Sequence, residues 1–244
     1  MSLNLKQKQI IRSRASFETL AILLWSEERL IPGDYLFERR LSVFKIAWRV
    51  ATRNYHLAQI RITIPEGLDL KQIADLLSTK LDNFDREKFL AEASEGYLFP
   101  DTYFFFPADN EKDVLNYLTE NFRRKIKPLE TEISAFVKKE SEIITMASLL
   151  EREAKKEIDR RYISGILWRR LAENMPLQVD AAMETYKTRG LPQKPICNPG
   201  LATIEAALRP ITSPNLFYLY DKDGNIHYAR TFEEHKVNKF KYLK

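Results

Sequence analysis

Apolar positions recur at helical spacing early in the chain, where Phe17, Leu20, Ile22, Leu23 and Leu24 describe an amphipathic helix over residues 16–25. Ile31-Pro32-Gly33-Asp34 ends that run as a turn. Tyr35-Leu36-Phe37 then reads as a short strand, and Ser42 as the cap of a helix carrying Val43, Ile46, Ala47 and Val50. From Gln59 to Ile64 the period drops to two: Ile60, Ile62 and Ile64 alternate with polar neighbours, which predicts a half-buried strand. Pro65-Glu66-Gly67 closes it, and Asp69 caps a further helix through Ile73, Leu76 and Leu77. Residues 33–80 therefore read as strand, helix, strand, helix.

A short helix between Asp82 and Ala93 precedes an aromatic stretch holding Tyr97, Phe99, Tyr103 and Phe104 to Phe106. Such a cluster serves either as core, the commoner use, or as a stacking surface for sugars. Helices follow over 114–125, 143–156 and 160–173, the last with Ile163, Ile166, Leu167 and Leu171 on one side. After Met175 the prolines at 192, 195 and 199 keep the chain irregular, and Leu216 to Tyr220, Asp223-Gly224 and Ile226 to Arg230 read as a β-hairpin. The fold class is α+β, with a boundary near residue 90 dividing an N-terminal region (1–90) from a larger domain (91–244).

Composition narrows the chemistry. Of 244 residues one is a cysteine, so Cys197 has no internal disulfide partner and no Cys-based zinc site is available. The three histidines, His56, His227 and His235, lack tight ligand spacing, and there is no Gly-rich phosphate loop. Neither a metal nor a cofactor is expected. No histidine lies near Cys197 in sequence to activate it as a nucleophile. Lys and Arg number 39 against 34 Asp and Glu, a net charge of +5 that suits an anionic surface such as cell-wall polymer, lipid headgroups or nucleic acid. No apolar run approaches the roughly 20 residues of a spanning helix. Lys6, Lys8, Arg12 and Arg14 are not followed by the apolar stretch of a secretion signal.

The helix around Ala147 carries the most informative carboxylates. At about 100° per residue, Ile143, Ile144, Leu150 and Ala154 fall within roughly 60° of Ala147 and form a buried stripe. Glu151 lies about 40° from Ala147, inside the stripe, whereas Glu153 lies about 120° and Arg152 about 140° away. A carboxyl aimed at the interior resists ionisation, the property a general acid needs near neutral pH. Periodicity alone is equally compatible with a boundary glutamate paired to a nearby arginine. Gln178 and Asp180, two apart, share a face if their segment is extended, an ordinary surface arrangement by itself.

Ordered motifs then span most of the chain: Ile64-Pro65-Glu66-Gly67; Glu95-Gly96-Tyr97-Leu98-Phe99-Pro100-Asp101-Thr102-Tyr103; Met146 to Glu153 (MASLLERE); Leu177-Gln178-Val179-Asp180; Gly190-Leu191-Pro192; Pro195 to Gly200 (PICNPG); and Glu205 to Pro210 (EAALRP). In these the chain resembles the MltG-like (YceG-like) endolytic murein transglycosylases of bacteria. The resemblance implies a small LysM-like module, placed over residues 33–90, followed by a mixed α/β catalytic domain. It implies cleavage of the β-1,4 bond between N-acetylmuramic acid and N-acetylglucosamine inside glycan strands, leaving 1,6-anhydromuramoyl ends. One glutamate suffices there as acid and then base, unlike the paired carboxylates of ordinary glycosidases. Glu151 matches that position, and Gln178, Asp180 and Asn198 match groove residues that bind substrate or position the glutamate.

The implied partners are peptidoglycan strands and the cell-wall synthesis machinery, not nucleic acid. The implied location is the extracytoplasmic face of the cytoplasmic membrane, reached through an N-terminal anchor absent from this chain. The family usually has a longer, often tyrosine-rich segment where Ala181 to Arg189 stand here, with Tyr186 as a remnant. Two other readings follow: a glycan-binding scaffold that lost turnover, or a muramidase-type hydrolase using Asp180 or Glu153 as a second carboxylate.

Overall fold

The computed structural model describes residues 2–24, 35–37, 41–52, 58–154 and 156–243. Its N-terminal cluster joins α1 (Ser2–Gln7), α2 (Arg14–Leu24) and α3 (Val43–Ala51) around Leu5, Ile11, Phe17, Ile46 and Ala47. Ser42 caps α3 as expected, accepting from the Lys45 amide at 3.4 Å. Tyr35-Leu36-Phe37 is irregular chain, not a strand; the Tyr35 hydroxyl donates to the Val50 carbonyl at 3.1 Å instead. The turn expected at 31–34 lies outside the described residues.

A second unit runs through β1 (Ile60–Thr63), α4 (Leu70–Ser78), α5 (Arg86–Glu92), β2 (Thr102–Phe105) and α6 (Glu111–Ile126). Asp69 and Gln72 form a reciprocal capping box at the start of α4. The partner of β1 is β2, antiparallel, with Ile60 opposite Phe105 and Thr63 opposite Thr102. That strand is hidden in the aromatic stretch because its period-two pattern is written entirely in rings. Tyr103 and Phe105 are buried while Phe104 points to solvent. The aromatics are thus chiefly core. Ile62, Ile64, Ile73, Leu77, Phe89, Leu98, Phe105, Val114 and Leu118 close one apolar centre. The sequence boundary near residue 90 falls in α5, between two strands that pair with each other.

The third unit is built around α8 (Glu140–Glu153), against which α9 (Glu157–Ala172) and α10 (Leu201–Leu208) pack; α7 (Glu130–Ala135) precedes it. Every residue from Ile143 to Leu150 is buried, so α8 is enclosed on all sides. Its two buried hydroxyls bond along the helix, Thr145 to the Ser141 carbonyl at 2.8 Å and Ser148 to the Thr145 carbonyl at 2.7 Å. The hairpin appears as expected, β3 (Phe217–Tyr220) antiparallel to β4 (Ile226–Ala229), and is followed by α11 (Phe232–Tyr242).

Arg170, on α9, ties this helix to the hairpin. Its guanidinium is 5% exposed, donates to the carbonyls of Leu216 and Leu177 at 2.6 Å each, and lies 4.9 Å from the centre of the Phe217 ring. A lysine ammonium has no planar fork to span two carbonyls and a ring. Arg170→Lys is expected to cost about 2 kcal/mol in chemical denaturation, through lost charge-assisted bonds.

Candidate active site

Glu151 stands at the C-terminal end of α8, with a side chain 7% exposed. Its Oε2 accepts from the Thr203 hydroxyl at 2.6 Å and the Gly200 amide at 2.9 Å. Gly200 is the N-cap residue of α10, which lacks a capping side chain of its own. Glu151 therefore caps α10 from outside, at the positive end of that helix. Arg160, near the start of α9, brings a guanidinium nitrogen to 3.9 Å from Glu151 Oε1. The Arg160 Nε is buried and makes no hydrogen bond within the protein.

Glu66 approaches from the loop after β1. A Cβ built on Gly200 would lie 1.9 Å from the Glu66 Oε1, so only the absence of a side chain admits this carboxylate. Burial raises the Glu66 carboxyl above its ordinary range and the charge of Glu151 raises it further, while Arg160 opposes them. Sequence reasoning passed over Glu66 as a chemical group, although the Ile64-Pro65-Glu66-Gly67 motif marks the place.

Asn198 is a clasp. It is 1% exposed; its Oδ1 accepts from the amides of Gly96 at 3.0 Å and Leu98 at 2.9 Å, and its Nδ2 donates to the Leu68 carbonyl at 3.1 Å and Glu95 Oε1 at 2.8 Å. Its backbone carbonyl accepts from the Gly67 amide at 2.9 Å. One side chain thus joins the Gly67 turn, the Gly96 turn and the loop that delivers Gly200 to Glu151. Gly96 has φ +88°, and a Cβ there would meet Pro195 at 2.5 Å, so that crossing needs glycine. With its bonding groups spent on protein, Asn198 is a positioning residue, not a contact offered to substrate. Neighbouring Cys197 is buried, donates to the Ser148 carbonyl at 3.4 Å and is pushed up to about 12 by burial, which keeps it a thiol.

The two remaining candidates lie on another side of the helix end. Gln178 is exposed, with a left-handed backbone (φ 52°) and its amide bonded to the Thr185 carbonyl at 3.2 Å. Asp180, also exposed, accepts from the Tyr186 hydroxyl. Asp180 acts electrostatically on Glu153, which accepts from the Ala181 amide at 3.4 Å and the Tyr218 hydroxyl at 3.1 Å. Buried Thr185 closes the segment, donating to the Ala182 carbonyl at 2.7 Å. Glu153 is thus also substantially enclosed, because α8 ends between two packed layers, and a one-stripe reading underestimates it.

Burial raises the Glu153 carboxyl above its ordinary 4.5, the Asp180 charge adds to this, and the Ala181 and Tyr218 donors oppose it. A carboxyl raised by folding contributes fully at pH below its unfolded value, and that contribution is lost as pH climbs through the folded value. Glu153→Gln is expected to flatten the rise in Tm seen on acidifying from neutral pH towards 4.5, with activity within about threefold of wild type. Thermal scans across that range check it.

An open cleft of about 570 Å³ lies near the other end of α8, lined by Tyr97, Phe122, Glu130 and Glu140 among others, and includes none of these residues. Among the described residues no cluster of His, Cys, Asp or Glu is suited to hold a metal ion, and no helix is long and apolar enough to cross a membrane.

A half-enclosed glutamate gripped between a helix end and a helix start, on an α+β framework, defines a protein equipped for proton transfer by a positioned carboxyl. The chain belongs to the YceG-like family, whose model matches residues 1–184 and 182–241. It is 27% identical to an endolytic murein transglycosylase of Bacillus subtilis (strain 168), over 98% of this chain and 80% of that protein. It is 26% identical to an endolytic murein transglycosylase of Streptococcus pneumoniae serotype 2, over 72% of this chain but only 43% of that protein. The fold matches that of a YceG-like protein from Listeria monocytogenes with a TM-score of 0.67 at 24% identity, covering 97% of this chain and 94% of that one.

Proposed function

We propose that this chain is an endolytic murein transglycosylase, cutting the β-1,4 bond between N-acetylmuramic acid and N-acetylglucosamine within peptidoglycan strands and leaving 1,6-anhydromuramoyl ends. The observation that carries the reading is Glu151: enclosed, fixed through Oε2 by Thr203 and Gly200, and in a family whose curated relatives bear that activity. With Oε2 held, Oε1 carries the transferable proton. Glu151 first gives it to the glycosidic oxygen as the bond to muramoyl C1 breaks. The carboxylate then takes the proton of the C6 hydroxyl as O6 closes on C1. The proton budget closes on one residue, and no water is added.

The β1-α4-α5-β2 unit is the LysM-like module of this reading: two pairing strands around two helices, delivering Glu66 and Gly67 to the site. The segment after Asp180 borders the glycan groove and holds Glu153. The substrate lies outside the cytoplasm, and so does the enzyme. Mass spectrometry of purified glycan strands after incubation tests the proposal. Anhydro ends support it, and reducing ends in their place replace it with hydrolysis.

A further inference from the structure

Glu151 sits among groups that favour its ionised form: the N-terminus of α10, two hydrogen-bond donors on Oε2 and the Arg160 guanidinium. A general acid must hold its proton at working pH, so this environment needs a counterweight. Glu66 supplies one. Its carboxylate packs over Gly200 while Glu151 bonds the amide of that same glycine, so the two carboxyl groups straddle one residue and share one guanidinium. We infer that Glu66 is a second functional carboxylate of the site, a positioning residue whose negative charge keeps the proton on Glu151 until the glycosidic oxygen takes it. The inference rests on the transglycosylase reading above.

The other charged or titratable groups turned towards the pair are few. Arg160 comes from α9; Arg152, on α8, reaches 3.4 Å from Gln72 Oε1 on α4; and the Cys197 thiol is buried beneath. Arg160 stabilises both carboxylates, Glu66 opposes ionisation of Glu151, and the pair titrates as a unit. Asp180 and Glu153, the second carboxylates suggested by sequence, are engaged with Tyr186, Ala181 and Tyr218. Glu66 makes no such commitment to the fold, so removing its charge leaves the scaffold intact.

The test is the pH profile of kcat/KM for strand cleavage by wild type, Glu66→Gln and Glu66→Asp, with Gly200→Ala as an independent perturbation. Gly200 has φ −76°, which alanine accepts, while the added methyl drives the Glu66 carboxylate away. Loss of the Glu66 charge is expected to move the alkaline limb about one pH unit towards acid, about tenfold in rate above that limb, with KM unchanged. Glu66→Asp restores part of the shift and Gly200→Ala moves the limb in the same direction. A Glu66→Gln limb superimposable on wild type, or a loss uniform across pH, overturns the inference. Wild-type protein that produces no anhydro ends fails the parent reading instead, and the two failures are distinguished by product mass in the same samples.

Discussion

Glu151→Gln is expected to reduce strand cleavage by about 10³-fold or more while leaving Tm and glycan binding close to wild type. The amide oxygen can still accept from Gly200 and Thr203, so the external cap on α10 survives the substitution. What disappears is the proton, and with it both chemical steps. Glu151→Ala loses the cap as well and is expected to lower Tm, which separates the chemical role from the structural one. Retained cleavage in Glu151→Gln, with Glu153→Gln inactive, would transfer the assignment to Glu153.

The second large effect is expected at a residue that touches no substrate. Asn198→Ala leaves the amides of Gly96 and Leu98 buried without their acceptor and strips a donor from Glu95. At about 1–3 kcal/mol for each orphaned group, the loss is about 4 kcal/mol, on the order of 10 °C in Tm for a chain of this length. Activity falls with it, because the same loop carries Gly200 to Glu151 and fixes Gly67 beside it. Asn198→Asp is a sharper probe. It keeps an acceptor for both amides but turns a carboxylate towards Glu95 Oε1, where Asn198 Nδ2 now donates at 2.8 Å. Burial already raises the Glu95 carboxyl, so this variant is expected to destabilise more at neutral than at acid pH, read by thermal unfolding at the two pH values.

Much of the framework is written in local signals. Ser42 and Asp69 announce their helices because a short polar cap before an apolar period has one structural use, and Asp223-Gly224 announces the hairpin for the same kind of reason. What escaped lacked a period. α11 is polar almost all round, with His235 alone buried, and α10 is so short and apolar that no face stands out. β2 escaped because an unbroken aromatic run hides alternation, and with it went the pairing that ties residue 60 to residue 105.

For the site, the inward turn of Glu151 was legible from helical geometry, while its partners were not. Gly200, Thr203, Arg160 and Glu66 arrive from three other segments, far apart in sequence. Glu153 shows the limit of the stripe argument, since a helix enclosed on all sides has no outward face to assign. Asn198 has the composition of a binding residue and the bonding of a clasp; its four partners span residues 68 to 98, at distances no local pattern encodes.

The most direct test is cleavage of purified, uncrosslinked glycan strands in oxygen-18-labelled water by wild type and Glu151→Gln, read by mass spectrometry of the new ends. The account predicts anhydromuramoyl ends free of label from the wild type and no new ends from Glu151→Gln. Labelled reducing ends, or unlabelled anhydro ends made equally well by Glu151→Gln, would contradict it.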